Sequence, residues 1–194
     1  MPRSTTMTIA AFAAVVACAV AAPAAAQVVT SAGGEVVPSA QKHLVDNLIA
    51  FDSIQAVTAK LAATKTQNTA VREFASSLSM DHSAHVAALQ KLAAKVSVGR
   101  EADAGSKTTA EFTSRYTALE SMPAGAEFDR AFLQAVVANH QAEIAAINAG
   151  KTAATDEDLK KDLDQTVGGL QSHLAKANEL SATLEKTPAT KPPR

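Results

Sequence analysis

The chain has 194 residues, 18 Lys and Arg against 19 Asp and Glu, a formal net charge of −1, no tryptophan and a single cysteine. Near-neutral charge gives no basis for nucleic-acid binding, and a lone cysteine excludes a disulfide framework. The length suits one domain with one core, and the abundance of alanine, the strongest helix former, predicts an all-α protein.

Residues 1–26 stand apart from the fold. Arg3 precedes an unbroken apolar run from Ile9 to Ala22, and Ala24 and Ala26 provide a small-residue cleavage pattern. This is the layout of a secretory signal peptide, and it predicts a periplasmic or secreted mature protein. The apolar run is short for a membrane span. Val15-Val16-Ala17-Cys18 also resembles the box before a lipidated cysteine, so an outer-membrane lipoprotein is the alternative, with membrane association only if Cys18 is lipidated. Cleavage after Ala26 would remove the thiol and exclude thiolate metal ligands.

Residues 27–38 contain Gly33-Gly34, lack periodicity and read as a linker. Pro38-Ser39 signals the start of a helix over about 39–64, with Leu44, Leu48, Phe51 and Ala62 on one side and Asp52 and Gln55 in the same sector. After a polar break, Asn68 or Thr69 can cap a second helix. Along 71–96, Val71, Phe74, Leu78, His85, Leu89, Leu92 and Val96 recur at three- and four-residue steps, the stripe of an amphipathic helix. His85 falls in the middle of that stripe, His82 on its shoulder and Asp81 at the opposite edge.

Residues 97–107 should form a loop, and 108–120 a shorter crossover helix ended by Met122-Pro123. A third long helix is predicted over about 124–148, with Phe128, Phe132, Val136, His140, Glu143 and Ile147 inward and Gly150 as its stop. Asp156 opens a fourth, to about residue 184, with Leu159, Leu163, Leu170, Leu174 and Ala177 inward and His173 flanking. Gly168-Gly169 inside it is a candidate kink. The basic, proline-rich stretch 187–194 reads as a disordered tail. Four long helices over 39–186 thus predict an up-down-up-down four-helix bundle with a short crossover helix.

Counted from the helix midpoints, Asp52 and Gln55, His82 and His85, His140, and His173 fall at similar heights in an antiparallel bundle. A histidine and carboxylate metal site follows as one reading, from His82, His85, His140 and His173 with Asp81, Glu143 or Asp52. Imidazole donors suit zinc, copper, nickel or iron. A second reading is a buried hydrogen-bond network that sets helix register without a ligand, and a third leaves some of these histidines in water. His43, near its helix start, reads as surface. For catalysis there is little: no phosphate loop, nucleophile elbow or His-Glu-x-x-His occurs, and Ser83 cannot face the adjacent His82 on a helix. The Glu-x-x-His element of diiron bundles is missing, so a metal-dependent oxidase or peroxidase ranks last.

Several stretches, taken together, resemble a known family: Val71-Arg72-Glu73-Phe74-Ala75, Asp81-His82, Phe128-Asp129-Arg130-Ala131-Phe132, Asn139-His140-Gln141 and Leu170-Gln171-Ser172-His173-Leu174. In this order they are similar to a bacterial family of exported, ferritin-like proteins of unknown function, often labelled outer membrane proteins. The resemblance runs from about Leu48 to Leu180. It implies a ferritin-like four-helix fold, a cell-envelope location and no established activity. Carried over by motif, it favours His82, His140 and His173 with Asp81 as site residues, and gives Asp129-Arg130 a helix-start and packing role. Gln55 stands where the family usually has glutamate, Val167-Gly168 where it has Leu-Pro, and His85 where it often has asparagine. The expected function is a metal-holding bundle with a storage, buffering or stress role, or a structural or interaction module of the envelope without a ligand.

Overall fold

The computed structural model describes residues 39–95 and 107–186. The expected signal peptide, Cys18, the linker, the loop after the second helix and the tail lie outside the described residues. Among the described residues there are five helices: α1 (Ser39–Lys65), α2 (Thr69–Lys95), α3 (Lys107–Ser121), α4 (Ala126–Gly150) and α5 (Glu157–Lys186), with a 3-10 turn (Lys151–Ala153) between the last two. None is long and apolar enough to cross a membrane.

Local chemistry explains the boundaries. The Asn68 side chain accepts the Val71 N–H at 3.1 Å, and Asp156 accepts the Leu159 N–H at 2.9 Å, so both expected caps satisfy donors that the first helical turn leaves open. Gly125 precedes α4 with φ of 144°, a conformation that favours glycine. Gly150 is not a left-handed stop: its backbone stays right-handed and the chain tightens into the 3-10 turn. Its role is close approach, because a Cβ there would lie 2.8 Å from Leu44 Cδ1. α5 runs unbroken through Gly168-Gly169.

The two hairpins, α1–α2 and α4–α5, pack into the all-α four-helix bundle. Gln41 meets Thr155, Gln55 meets Glu143 and Thr66 meets Asp129, so α1 and α4 run antiparallel. His85 meets Asp162 and Asp81 meets His173, so α2 and α5 do too. It follows that α2 and α4 sit on a diagonal and run parallel. The helix directions are therefore up-down-down-up, not the expected up-down-up-down. The link between α2 and α4 makes this possible, since it carries α3 back along the bundle as one long crossover. α3 lies over α1 and α4: the Phe51 and Phe112 rings are 5.0 Å apart, Lys65 donates to the Leu119 and Glu120 carbonyls at 3.0 and 2.7 Å, and Arg115 donates to Asn139 at 2.8 Å.

Apolar packing falls into two clusters. One, near the α1–α2 turn, gathers Val71, Phe74, Leu78, Phe128, Phe132 and Leu180; the other, at the far end, gathers Leu44, Leu48, Leu89, Ile147, Leu159 and Leu163. Between them lies a belt of buried polar groups, Asp52, Gln55, His82, His140 and Glu143. The bundle's hydrophobic core is thus interrupted at mid-height, where desolvated polar atoms must find partners.

Candidate metal centre

Each helix of the bundle sends a side chain into this belt because its apolar stripe continues through a polar residue. On α2 the inner face steps from Leu78 to His82 to Leu89, and on α4 from Phe132 through Val136 to His140 and Glu143. His82 is 3 % exposed and His140 1 % exposed. His173 joins them from α5. The three rings form a triangle with centroids 5.3 Å (His82–His140), 5.6 Å (His82–His173) and 5.3 Å (His140–His173) apart. One nitrogen from each lies within 4.8 Å of the others, and His140 Nε2 and His173 Nδ1 are 3.2 Å apart.

Carboxylates fix how these rings present themselves. Asp52 is 1 % exposed. Burial alone would raise its carboxyl, but the hydrogen bonds and charges of His82 and His85 outweigh burial and hold it below the usual carboxylate value. Being ionised, Asp52 can only accept, so His82 Nδ1–H donates to its Oδ1 at 2.6 Å. The opposite nitrogen of His82, Nε2, is buried and has no hydrogen-bond partner. His173 repeats the pattern, donating from Nε2 to Asp81 Oδ2 at 3.2 Å and leaving Nδ1 for His140.

Burial first, then the charges of His82 and His173, push the His140 pKa well below its ordinary value, so the ring is neutral. The Val136 carbonyl, one turn earlier, interacts with it without closing a regular hydrogen bond to Nδ1. Burial and the His82 charge lower His173 too, against the opposing pull of Asp81. Neutral imidazoles are the form that binds metal.

His85 is arranged otherwise. Its Nδ1 donates to Asp52 Oδ2 at 2.8 Å and its Nε2 to Asp162 Oδ2 at 3.1 Å, with Thr166 Oγ1 at 3.0 Å. Burial opposes a charge there, but Asp162 and Asp52 outweigh it and push the pKa up to about 10. With both nitrogens donating, His85 is an imidazolium and has no lone pair to offer. The order of burial expected on α2 is also reversed, since His82 is the deeper ring and His85 only half-buried. Glu143 stands behind Gln55, whose amide donates to its Oε2, while Oε1 has no partner. Burial and the negative Asp52 push Glu143 well above the ordinary value, which favours the neutral acid. Asp81 is exposed at the mouth of the site. His43 is exposed, as expected.

Of the six residues expected at the site, the structure brings together His82, His140 and His173, sets Asp81 behind His173, and places His85 and Glu143 in neighbouring charge and hydrogen-bond roles. Asp52, expected only to assist, is the hub. Asp162 and Thr166 went unrecognised in the sequence, although Asp162, Thr166, Gly169 and His173 recur at steps of four, three and four along α5, a polar stripe beside its leucines.

The triangle is a group that could hold an ion. Three imidazole nitrogens at metal distance around a tetrahedral centre stand roughly 3.3 Å apart. The His140–His173 pair has that spacing, and the His82 donor lies within 4.8 Å of both. A carboxylate behind a ligating histidine is the usual arrangement for orienting it.

Comparison with known proteins gives a family and no more. A family model described as "Domain of unknown function (DUF4142)" matches residues 23–180. No curated protein matches the chain. No solved structure matches it.

Proposed function

The chain belongs to this DUF4142 family, and we propose that it is an exported, ferritin-like bundle that binds a transition-metal ion through His82, His140 and His173. The observation that carries the reading is the His82 Nε2 atom: buried, without a hydrogen-bond partner, and beside two rings whose charged forms are disfavoured. A bare polar atom in such a place costs stability unless something fills the role of partner. An ion does so for all three rings at once. Zinc, copper, nickel and iron suit an all-imidazole set. We assign the site to holding metal in storage, buffering or stress protection. Export is supported by the signal-like pattern of residues 1–26.

The experiment is elemental analysis of untagged protein, followed by thermal melting with added zinc, copper, nickel or iron salts. The expected result is one ion per chain and, at a hundredfold excess over Kd, a gain of about 2.7 kcal/mol, or roughly 5–10 °C in Tm. The gain disappears in the His82→Ala, His140→Ala double variant. Metal-free protein whose melting no salt changes would remove the reading.

A second reading has its own support. The Asp81–His173–His140 chain closes at hydrogen-bond distances without an ion, and Asp52, His85 and Asp162 tie α1, α2 and α5 together. On that reading the belt sets helix register and the chain is a structural or interaction module of the envelope. The double variant would then destabilise the fold equally with and without metal.

A further inference from the structure

Between α2 and α5 lies an open cleft of about 230 Å³, lined by the exposed Asp81 and Gly169, the half-buried Asp162, Thr166 and His173, and the buried His82. We propose that this cleft opens onto a fourth, exchangeable coordination position and admits a small monodentate nitrogen or oxygen donor to the ion. The inference rests on the three-histidine reading and adds to it a ligand class and an entrance.

Four observations point this way. Three protein nitrogens leave a tetrahedral ion one ligand short, the arrangement of sites that exchange ligands rather than of closed structural ones. Two of the three histidines, His82 and His173, line the cleft. A second hole beside His82 and His140, against Gln55, Thr58 and Phe132, has about 10 Å³, too small for anything beyond a water. Last, Gly169 sits mid-helix, where glycine weakens α5 relative to alanine. No packing demands it, since a Cβ there would meet nothing within 4 Å. What the missing side chain does accomplish is to leave the cleft wall low. A liquid water occupies about 30 Å³, so the cleft takes a donor of several heavy atoms.

The test uses untagged protein loaded with Co(II), whose visible absorption reports its ligands. Addition of azide or imidazole should change the spectrum while elemental analysis still finds one cobalt per chain. Gly169→Phe, which fills the mouth, should keep the cobalt but raise the half-saturating concentration of the added ligand about tenfold or more. Gly169→Ala should respond like the natural chain. A spectrum that neither azide nor imidazole alters, with cobalt bound, overturns the exchangeable position and leaves the three-histidine site standing. An unchanged response in Gly169→Phe overturns the entrance. Failure to bind cobalt at all removes both.

Discussion

Asp52 Oδ1 lies 2.6 Å from His82 Nδ1 while its other oxygen holds His85 at 2.8 Å, so one buried carboxylate orients the His82 ring and neutralises the His85 cation at once. Asp52→Asn keeps the shape but removes the charge, and an amide cannot accept from two ring N–H groups on both of its arms. The expected cost is about 3–5 kcal/mol, the range for stranding one side of a buried ion pair. Metal affinity should fall about 10- to 100-fold as His82 loses its orientation. Urea unfolding and zinc titration measure the two effects separately.

The His85 imidazolium gives stability a basic-side dependence. Its folded pKa of about 10 lies above the ordinary 6.5. The folded state therefore holds a proton that the unfolded state gives up. The contribution is whole below pH 6.5 and drains away as pH rises through about 10. Denaturant unfolding at pH 7 and pH 10 should show the natural chain losing on the order of a few kcal/mol more than His85→Asn.

His140 slopes the other way. Its folded pKa is depressed, so the unfolded state takes up a proton that the folded ring refuses. Stability should decline as pH falls below 6.5 toward the folded value, and bound metal should leave over the same interval as protons compete for the rings. Zinc retention after dialysis at stepped pH checks this.

Glu143 is held as a neutral acid, and its raised pKa means that its cost grows as pH climbs above 4.5. Glu143→Gln preserves an oxygen for the Gln55 amide and carries no proton to lose. At pH 8 the variant should be as stable as the natural chain or about 1–2 kcal/mol more so. Near pH 4 the advantage should vanish. Paired denaturation curves at the two pH values decide it.

Gly168 neighbours the cleft without lining it, and a Cβ there meets nothing within 4 Å. Gly168→Ala should stabilise α5 by about 1 kcal/mol, a rise of roughly 2–4 °C in Tm. Differential scanning calorimetry is sufficient.

The helices and the height of the polar belt were legible because they depend on one chain segment at a time. Asn68 and Asp156 announce caps, leucine and phenylalanine steps announce faces, and counting from midpoints places His82, His140 and His173 on one level. What depends on two segments was not legible. The stripe of α2 says that His85 points inward, but not that Asp162 of α5 waits there to make it a cation. The long link after α2 is compatible with either diagonal or adjacent return, so the helix directions could not be read from it. Gly150 does end α4, but its nearness to Leu44, a contact between the ends of different helices, could not be read from either segment alone.

His82 comes from the first hairpin, and His140 and His173 from the second. Within each hairpin the contacts are local in sequence, while those joining α1 to α4 and α2 to α5 span the long crossover. An ion gripped by all three rings would therefore be a clasp across the seam, formed only after the halves have met. It should lengthen the lifetime of the assembled molecule by slowing separation, and leave the speed of assembly as it was.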